Sequence, residues 1–586
     1  MAREPLIWVE IDVDQCQLIY GQAPCMAALG TTGTRKCFNT FRTCQDRSNY
    51  DLGSLTYKFY LPQSNIPKEA GVFPCLREVS ASEGVVNIAG TDDRLKGLGK
   101  RERITFTCQD FSYGDQFTDK YASERRTGVA QSDGVGYDPT SRGTFFGKLR
   151  ARWPYYAGRA CRYNEAFFDN GVLTELVTRH YVLTDMDVDD MSETATFEAK
   201  DILALADDDR STAPVANNGE LLADFSDVGT QFTLTPSGIG NSEYETSGRI
   251  IIGSELMDFT RSGDVMTITA RGVSNTQVGS HSAGDSVQQT FSVDNRRIDR
   301  VIRDLLRDFG SVPNAYIPFS DWQSETDRWA GNLFLTADIT KPTGINTLLS
   351  EIMQLGVSVW WDRSAQQVGY RVNRPPDEDT VFEFSDRSNI REISVDDRDD
   401  ERLTQIGIYS DIIDPTLSPT DGDSYRRLRQ IVDADAQSDN EFNDVKVRQV
   451  YMRWLGSGGR NIIRIIGRRL LNRFRWSPAR YKFTVTYDPD LGLADVIRVN
   501  SRISQDDTGQ NEDTLMQAIA IKYDQPKHVM TVTAETYQFD QRYAFFAPNN
   551  TPVYSSATSA QRESYGFFAD DTTEELSDGT DAYQFI

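Results

Sequence analysis

The stretch that decides the fold of this 586-residue chain is residues 7–16, IWVEIDVDQC, near its beginning. Apolar and acidic side chains alternate along it, which is the period of a β-strand with one face buried and one face in water. The apolar positions are Ile7, Val9, Ile11 and Val13, and the acidic ones are Glu10, Asp12 and Asp14. The sequence therefore predicts an amino-terminal strand that leads directly into Cys16.

Similar runs recur up to residue 205, separated by Gly, Pro and Asp residues. They are SLTYKFYL (54–61), GVVNIAG (84–90), RITFTCQDF (103–111), GTFFGKLRARW (143–153), TRHYVLTDMDV (178–188) and TATFEAKDILAL (194–205). Because short alternating runs between turn residues are typical of strands, the first part of the chain is predicted to be mainly β.

The later chain predicts several further domains. Residues 206–292 are poor in Lys and Arg and rich in Gly, Ser and Thr, which favours a compact inserted β module. Helical spacing predicts a helix over 294–309, capped by Asp294 and followed by Gly310, and a second one over 345–355. The strands VSVWW and QVGYRV follow the second helix, so this part reads as a small α+β unit.

An amphipathic helix is predicted over 460–475, after the Gly-rich turn at 456–459 and among further strands. Its apolar face consists of Ile462, Ile463, Ile466, Leu470 and Phe474, and its basic face of Arg460, Arg464, Arg468 and Arg473. The predicted fold class is thus mainly β with α+β parts. The predicted domains are an amino-terminal strand and cysteine segment (1–60), a β-rich domain (61–205), the inserted module (206–292), an α+β domain (293–395), a β-rich domain (396–545) and an acidic tail (546–586).

The charge balance disfavours several classes of function. The chain has 62 Lys and Arg against 87 Asp and Glu, a net charge of −25, so its surface repels phosphate and a stable nucleic-acid-binding role is disfavoured. A channel through which DNA slides without sticking is compatible with this charge. No run approaches the ~18 apolar residues of a membrane span, and acids stand where a signal peptide needs an apolar stretch. We therefore expect a soluble protein made in a reducing compartment.

Cysteine carries the clearest chemical signal, because four of the seven cysteines lie in one short segment. Cys16, Cys25, Cys37 and Cys44 form a C-x8-C-x11-C-x6-C pattern among Gly, Pro and Thr residues. Four thiolates suit zinc or an iron–sulfur cluster, although the spacing differs from zinc ribbons and ferredoxins. The alternative is that they are ordinary buried thiols. The remaining three, Cys75, Cys108 and Cys161, are predicted to be core or sheet residues.

Other patterns are weaker. The sequence GSGGRN (456–461) lacks the phosphate-loop spacing, and Ser282 in GSHSAGDS lacks a glycine that a nucleophile elbow needs. An acidic cluster departs from the calcium-loop pattern and is interpreted as solvated charge; it consists of Asp185, Asp187, Asp189 and Asp190. The three histidines, His180, His281 and His528, are far apart in sequence, which argues against a His-rich zinc site. The basic face of the 460–475 helix is expected to pair with local acids rather than with DNA.

The phrases YGQAPC and KCFNTFRTCQD around the four cysteines carry a resemblance, together with ITFTCQDF, GTFFGKLRARWPYYAGR, RHYVLTD and FEAKDILALADDDRSTAP. They resemble the first domain of tail-tip (baseplate hub) proteins from long-tailed, siphovirus-like bacteriophages and gene transfer agents, a group that includes minor tail protein L of lambda-like phages. The C-x8-C and C-x6-C spacers agree with that family's pattern, whereas its middle spacer is more variable. The resemblance covers about residues 1–215 and is loose beyond them.

The resemblance implies a non-enzymatic structural protein with tube-like β-barrel domains. A [4Fe–4S] cluster, or zinc in its place, would be held by Cys16, Cys25, Cys37 and Cys44 and would staple a loop that lacks its own core. The protein would be a homotrimer in the virion tail tip, assembled in the host cytoplasm, and would continue the DNA channel without binding DNA specifically. Its partners would be the distal tail protein, the tape measure protein, tail fibre or tip proteins and, at genome ejection, the host outer membrane.

Two alternatives from other classes stay open at the level of sequence. An iron–sulfur enzyme would use the cluster for electron transfer or radical chemistry, and it would usually leave one iron open by using three cysteines instead of four. A carbohydrate-binding tail adhesin would use the aromatic residues and β modules of the chain.

Overall fold

A computed structural model shows a mainly β protein with a small number of helices. It describes residues 4–28, 31–32, 37–63, 66–69, 71–92, 95, 97–113, 143–169, 172–189, 191–207, 211–376, 381–434, 437, 444–456, 460–488, 490–505, 508–524, 529–537, 545–546, 556 and 558–566. The chain divides into two compact units. The first unit comprises residues 1–84, 100–205 and 361–367, and the second comprises residues 85–99, 206–360 and 368–586.

The first unit is built on an eight-stranded sheet. The strands in this part of the chain are β1 (Glu4–Cys16), β2 (Leu52–Tyr60), β3 (Val72–Phe73), β4 (Leu76–Ser82), β5 (Gly84–Val85), β6 (Arg103–Gln109), β7 (Ala160–Asp169), β8 (Val172–Asp189) and β9 (Thr194–Lys200). Their order in the sheet is β3-β2-β1-β7-β8-β9-β6-β4. Because the two end strands, β3 and β4, follow each other directly in sequence, the two edges of the sheet come together and the sheet is nearly a barrel.

The alternation in β1 is confirmed and places the core on one face. Val9, Ile11 and Val13 are buried in the aromatic core of the sheet, beside Phe59, Phe106 and Phe197. On the opposite face, the Arg162 guanidinium on β7 donates to Glu10 at 2.8 Å and to Asp12 at 2.7 Å. The acidic residues of the first strand are therefore paired across the sheet, and this pairing holds the pKa of Asp12 below its ordinary value although burial opposes it.

One segment predicted as a strand is an α-helix, and two other predicted runs leave the strand early and end in 3-10 helices, Ile88–Gly90 and Ile202–Asp207. Residues 145–152, in the run GTFFGKLRARW, form α1 (Phe145–Arg152). The Thr144 side chain caps it by accepting a hydrogen bond from the Gly147 N–H, and Phe145, Phe146 and Leu149 are buried in the core of the first sheet. The prediction was wrong because two adjacent phenylalanines and a leucine four residues on fit one face of a helix as well as a strand.

The inserted module is a small β-barrel in the second unit. The short strand β10 (Thr212–Ala213) precedes it and pairs with residues 343–344. The strands of the barrel are β11 (Glu220–Leu221), β12 (Gln231–Thr235), β13 (Ser247–Ile252), β14 (Glu255–Ser262), β15 (Val265–Arg271) and β16 (Val287–Gln289), with a five-residue helix α2 (Ile239–Glu243). The sheet order is β11-β12-β15-β14-β13-β16. The edges close through a bridge between Glu220 and Ser286 and through the Val287 N–H, which donates to the Gly219 carbonyl at 2.9 Å.

The α+β part follows the module. It contains β17 (Phe291–Arg297), α3 (Ile298–Asp304), a short π-helix (Leu305–Phe309), α4 (Phe319–Trp329), β18 (Phe334–Ile339), β19 (Thr343–Gly344), α5 (Ile345–Met353), β20 (Val357–Asp362) and β21 (Gln367–Val372). The predicted helix over 294–309 begins only at Ile298, because the chain is still a strand at Asp294 and Asn295 has a positive φ of 42° at a bulge. Gly310 has φ −87°, so the left-handed residue after the helix is Ser311 at φ 54°.

A second large sheet and a helix form the last described part. The strands are β22 (Phe382–Ser385), β23 (Glu392–Asp397), β24 (Gln405–Ile412), β25 (Tyr425–Val432), β26 (Val447–Met452), β27 (Ala479–Thr486), β28 (Val496–Gln505), β29 (Asn511–Asp524), β30 (Val529–Thr536), β31 (Phe545–Phe546) and β32 (Tyr565–Gly566). The helices are α6 (Arg460–Phe474) and α7 (Ser559–Ser564). The main path of the large sheet is β22-β28-β29-β30-β27-β23, and its end strands are again consecutive.

Helix α6 packs closely on a separate three-stranded sheet, β25-β24-β26. A Cβ atom at Gly467 would lie 2.2 Å from the end of the Ile431 side chain, so a larger residue here would have to displace that side chain. The predicted apolar face is buried at Ile463, Ile466, Leu470 and Phe474, whereas Ile462 is half-buried. Most of the predicted tail, 546–586, lies outside the described residues.

Candidate metal centre

The four amino-terminal cysteines belong to one loop at the end of the first sheet. β1 ends at Cys16 and β2 begins at Leu52, and these two residues face each other in the antiparallel register. The loop between them therefore starts and finishes at neighbouring points of the sheet. Cys25, Cys37 and Cys44 lie within this loop, which we call the cysteine loop (residues 17–51).

The described part of the cysteine loop has almost no hydrophobic core. Its regular structure consists of two single 3-10 turns, Phe41–Thr43 and Arg47–Asn49. Its buried residues are Cys25, Ala27, Cys37 and Asn39. Two of these four are cysteines, so the loop's interior is made of thiols rather than of branched apolar side chains.

Hydrogen bonds hold the described part of the cysteine loop in place of a hydrophobic core. The Cys16 N–H donates to the Asn39 carbonyl at 2.7 Å, which ties the end of β1 to the middle of the loop. The Asp46 carboxylate accepts from the Met26 N–H at 2.8 Å and from the Ser48 hydroxyl and the Asn49 amide. Donation from the Met26 N–H, above all, holds the pKa of Asp46 below its ordinary value. The loop thus has a defined shape before any metal is considered.

Cys16 and Cys25 lie near Cys44, although the described thiols do not form a ligand shell. Burial raises the pKa of Cys44, and Cys16 and Cys25 lie near enough to act on it in the same direction. However, within the described residues no three His, Cys, Asp or Glu side chains come close enough together to hold a metal ion. Within the described residues the cysteine loop therefore holds sulfur donors but not an assembled ligand shell.

Tyr50 is the residue that sequence reasoning missed. Its hydroxyl is buried and has no hydrogen-bond partner within the described part of the chain. Burial is the main reason that the pKa of Tyr50 rises to about 12, and Cys16, Cys44 and Cys37 raise it further. A buried hydroxyl without an acceptor costs free energy, so its position beside three thiols is significant. A thiolate that binds metal is an acceptor of the kind this hydroxyl lacks.

Backbone amides also point at the sulfurs. The Asn39 N–H donates to Cys37 Sγ at 3.4 Å, and the Asp46 N–H donates to Cys44 Sγ at 3.4 Å. In both cases the donor lies two residues after the cysteine. Hydrogen bonds to cysteine sulfur favour the thiolate and tune sulfur-ligated metals. The donor set and its surroundings therefore fit a sulfur-ligated metal group in chemical type.

The other three cysteines are confirmed as core residues. Cys75, Cys108 and Cys161 are all buried in the interior of the first sheet. Burial raises the pKa of Cys108 well above its ordinary value and also raises that of Cys161. All seven cysteines lie in the described ranges, and none is in a disulfide. Because the reactive form of cysteine is the thiolate, the core thiols are poor nucleophiles and poor ligands.

Ser282 and His281, two of the weaker candidate residues, have structural roles. Ser282 lies in a turn between His281 and β16, and its N–H donates to Asp285, so it has no strand-turn-helix context. The His281 ring contacts Glu255 at 2.9 Å, and Glu255 is also held by Arg271. The serine and histidine thus belong to a loop that Glu255 organises. Residues 457–459 of the Gly-rich turn, Asp190 and His528 lie outside the described residues.

The members of the predicted acidic cluster bind different partners, and so do the arginines of the predicted basic helix face. Asp185 accepts from the Tyr156 hydroxyl at 3.2 Å, and Asp189 accepts from the Ser192 hydroxyl at 2.7 Å. On α6, Arg464 and Arg468 are exposed, but Arg473 is buried and donates to Gln517 at 2.7 Å. The predicted basic face is therefore not continuous.

The inserted module does not offer the platform that carbohydrate binding uses. Its four aromatic residues between positions 211 and 290 are all buried in the barrel core, and this range is fully described. They are Phe225, Phe232, Tyr244 and Phe259. Sugar rings stack on exposed aromatic faces, so this module gives no support to the adhesin alternative. In the described part of the chain, no helix has the length and apolar character needed to cross a bilayer.

Comparison with known proteins gives loose structural likenesses only. No family model matches the chain, and no curated protein matches it. In structure it is similar to prophage tail protein gp18 from Listeria monocytogenes, with a TM-score of 0.32, 10% identity and coverage of 83% of this chain and 91% of that one. It is also similar to the 43 kDa tail protein of prophage MuSo2 from Shewanella oneidensis, with a TM-score of 0.32, 10% identity and coverage of 78% and 97%.

A tail protein from Neisseria meningitidis is similar at a TM-score of 0.34, with 9% identity and coverage of 79% of this chain and 97% of that one. Superpositions at these scores do not define a shared fold.

Proposed function

We propose that this protein is a structural tail-tip (baseplate hub) subunit of a phage-like particle, with a metal-stapled loop at the end of its first sheet. Cys16, Cys25, Cys37 and Cys44 would hold a [4Fe–4S] cluster, or zinc in its place. Three copies would form a ring that continues the tail channel and docks the distal tail, tape measure and fibre or tip proteins. The protein would catalyse no reaction.

The single observation that carries the metal site is the environment of Tyr50. A buried hydroxyl without an acceptor lies beside three thiols, and two backbone N–H groups already point at sulfur. A bound metal would keep the cysteines as thiolates, and a thiolate can accept a hydrogen bond from the Tyr50 hydroxyl. It would also explain why thiols, rather than branched apolar side chains, are buried in the cysteine loop. Its chemistry there would be structural cross-linking.

The charge of the chain supports a passive role toward DNA. With a net charge of −25, a surface that lines a channel repels the phosphate backbone and lets a genome pass. The two large sheets each bring their end strands together, which is the arrangement that a tube-forming domain needs. Four local cysteines would close the cluster to substrate, and this disfavours the iron–sulfur enzyme.

Metal analysis of anaerobically purified protein tests the site. We expect the wild type to contain iron and acid-labile sulfide, with visible absorption, or one zinc ion per chain. Cys25→Ser should lose the metal, and the matched variant Cys161→Ser should keep it, because Cys161 is buried in the sheet core. A colourless, metal-free wild type would overturn the metal site.

Particle assembly tests the structural role separately. Cys25→Ser introduced into the particle-producing strain should reduce the yield of complete tails, whereas Cys161→Ser should support assembly as long as it folds. Normal tails with Cys25→Ser would contradict a structural role for the metal. Turnover of a small molecule that depends on the bound cluster would support the enzyme alternative.

A further inference from the structure

One short segment of the amino-terminal half of the chain belongs to the second unit. This segment is residues 85–99, which we call the strap, whereas the residues directly before and after it belong to the first unit. The Val86 N–H donates to the Ile519 carbonyl on β29 at 2.9 Å, and the Gly97 N–H donates to the Ser350 hydroxyl on α5 at 2.7 Å. The strap is therefore fastened to the second unit near both of its ends.

The middle of the strap is a turn that carries Asp92. The buried Asn87 side chain donates to the Asp92 carbonyl at 3.0 Å and accepts from the Asp92 N–H at 3.1 Å, so the turn has a defined shape. The Asp92 carboxylate lies 3.5 Å from the Arg480 guanidinium on β27. This ion pair joins the middle of the strap to the large sheet.

Arg480 has two further carboxylate partners, and all three acids are buried. Its Nη2 donates to Glu401 Oε2 at 2.8 Å, and its Nε donates to Glu535 Oε2 on β30 at 3.0 Å. The side chains of Asp92, Glu401 and Glu535 are only 8%, 5% and 2% exposed. The buried Arg473 on α6 also faces Glu535. Carboxyls that share one guanidinium repel one another, so such a group does not ionise all at once.

Glu401 is the carboxyl placed to keep a proton. Burial is the main reason that the pKa of Glu401 rises to about 7. The carboxyls of Glu535 and Asp92 act in the same direction, while the guanidinia of Arg480 and Arg398 oppose them. Its charge therefore changes near neutral pH, at a point that touches both the sheet and the strap.

Arg398 does not neutralise Glu401 by itself. It precedes the 3-10 turn Asp399–Glu401 and lies 3.3 Å from Glu401 Oε1. The same guanidinium binds Asp400 at 2.7 Å and lies 3.9 Å from Asp396 on β23. Because its charge is divided among three acids, the balance at Glu401 depends mainly on Arg480.

We propose that Arg480 with Asp92, Glu401 and Glu535, the Arg480 cluster, is a proton-dependent latch that holds the strap firmly at mildly acidic pH and more loosely at neutral pH and above. With Glu401 protonated, the charge of Arg480 is shared by Asp92 and Glu535. When Glu401 releases its proton to water, its carboxylate competes for Arg480 and repels Asp92. The Asp92 contact is the longest of the three, so it is the one that yields.

The held strap binds more protons than the loosened strap at intermediate pH. While Asp92 is held, the pKa of Glu401 is about 7, and without the nearby Asp92 charge it falls toward its ordinary value of 4.5. The free energy that holds the strap therefore falls as pH rises through this window and is constant above it. The bonds of Val86 and Gly97 do not titrate here, so the strap loosens at Asp92 and stays attached at its ends.

Amide exchange of the full-length protein at different pH values tests the latch. Exchange of peptides from residues 86–98 is followed by mass spectrometry from pH 5 to pH 8, and each rate is divided by the intrinsic rate at that pH. Protection of the wild-type strap should fall about tenfold over this range, because one unit of pKa difference between the held and the loosened state is a tenfold change in their equilibrium. A peptide covering β14, in the inserted module, should show no such change.

Three substitutions separate the proton from its surroundings. Glu401→Gln keeps the shape of the side chain without a titrating group, so strap protection should be as high at pH 8 as at pH 5. Asp92→Asn removes the negative charge that pairs with Arg480, so protection should be low at both pH values. Glu325→Gln is the matched control, because Glu325 also pairs with an arginine, Arg374, at 2.9 Å, and it should respond to pH like the wild type. Circular dichroism establishes that each variant is folded.

Three results would overturn the latch, and none of them bears on the metal site or on the number of copies in the proposed function. Wild-type protection that is constant from pH 5 to pH 8 would remove it without any variant. A pH response that persists in folded Glu401→Gln would assign the proton to another group. A response that persists in folded Asp92→Asn would show that the proton does not act through the ion pair of the strap.

Discussion

The cysteine loop and the interior of the first sheet use the same residue type in opposite ways. Cys75, Cys108 and Cys161 are buried in one core with Phe59, Phe106 and Phe197. The cysteine loop has two thiols among its four buried described residues and relies on hydrogen bonds for its shape. A thiol in a core is a small apolar side chain, whereas the thiols of a loop without a core are, in the proposed function, the ligands that let a metal cross-link the loop.

The largest expected difference between the loop cysteines and the core cysteines is in their rate of alkylation. After chelation, Cys25 and Cys44 should react with iodoacetamide in the folded protein, because the loop opens locally. Cys161 should react only through global opening, and hence at least about a thousandfold more slowly. Peptide mass spectrometry over a time course measures both rates. Equal rates for Cys25 and Cys161 would remove the contrast between loop and core.

Deleting an aromatic side chain from the sheet interior should affect stability and leave the metal in place. Phe197 is fully buried and stacks on Phe106 with 4.7 Å between centroids. Phe197→Ala should lower the free energy of unfolding by about 3–5 kcal/mol, since it removes buried apolar surface and leaves a cavity. Urea titration measures the loss, and metal content per chain is the control. Loss of metal from a folded variant would show that the loop depends on the core.

A polar replacement of a core thiol should have a smaller effect. Cys161→Ser places a hydroxyl in an apolar site and should cost about 1–3 kcal/mol of unfolding free energy. Cys161→Ala, which adds no polar group, serves as the reference for the lost volume. Both variants should bind as much metal as the wild type. A stability equal to that of the wild type for Cys161→Ser would mean that a partner for the hydroxyl exists in the core.

A side-chain contact between the cysteine loop and the first sheet's helix should give the smallest change. The Arg152 guanidinium at the end of α1 lies 3.8 Å from the centre of the Phe38 ring in the cysteine loop. Arg152→Ala should weaken the loop by about 0.5–1 kcal/mol, the usual strength of an exposed cation–π contact. Amide exchange at Phe38 and its neighbours should quicken several-fold, with no change in the sheet. Arg152→Lys, which keeps the charge, is the control.

The sequence predicts the strands well because their pattern is local. The alternation of Ile7 to Val13 and of residues 103–109 becomes β1 and β6, and the helical spacing of residues 460–474 becomes α6. The alternating pattern gives the wrong prediction at residues 145–152, because a helix there buries both Phe145 and Phe146 in the core of the sheet. The helical pattern fails at Asp294, where pairing of β17 with β18 extends the strand through the expected cap.

Of the candidate metal site, the sequence predicts the four cysteine ligands but not the residues around them. Four cysteines in one segment indicate sulfur chemistry, but nothing in their spacing points to Tyr50. Its place beside the sulfurs depends on the pairing of Cys16 with Leu52, which brings the end of the loop back to its start.

The closed barrel of residues 219–287 has its entry and exit side by side, since the Val287 N–H meets the Gly219 carbonyl. A unit whose termini adjoin and whose core is its own can be removed or exchanged with little disturbance to the host chain. The module's described contacts with the rest of the second unit include the hydrogen bonds from Arg249 and Ser274 to Asp338, which a replacement would have to preserve or remove. Replacing it with a short Gly-Ser bridge is a practical route to a smaller version of the protein.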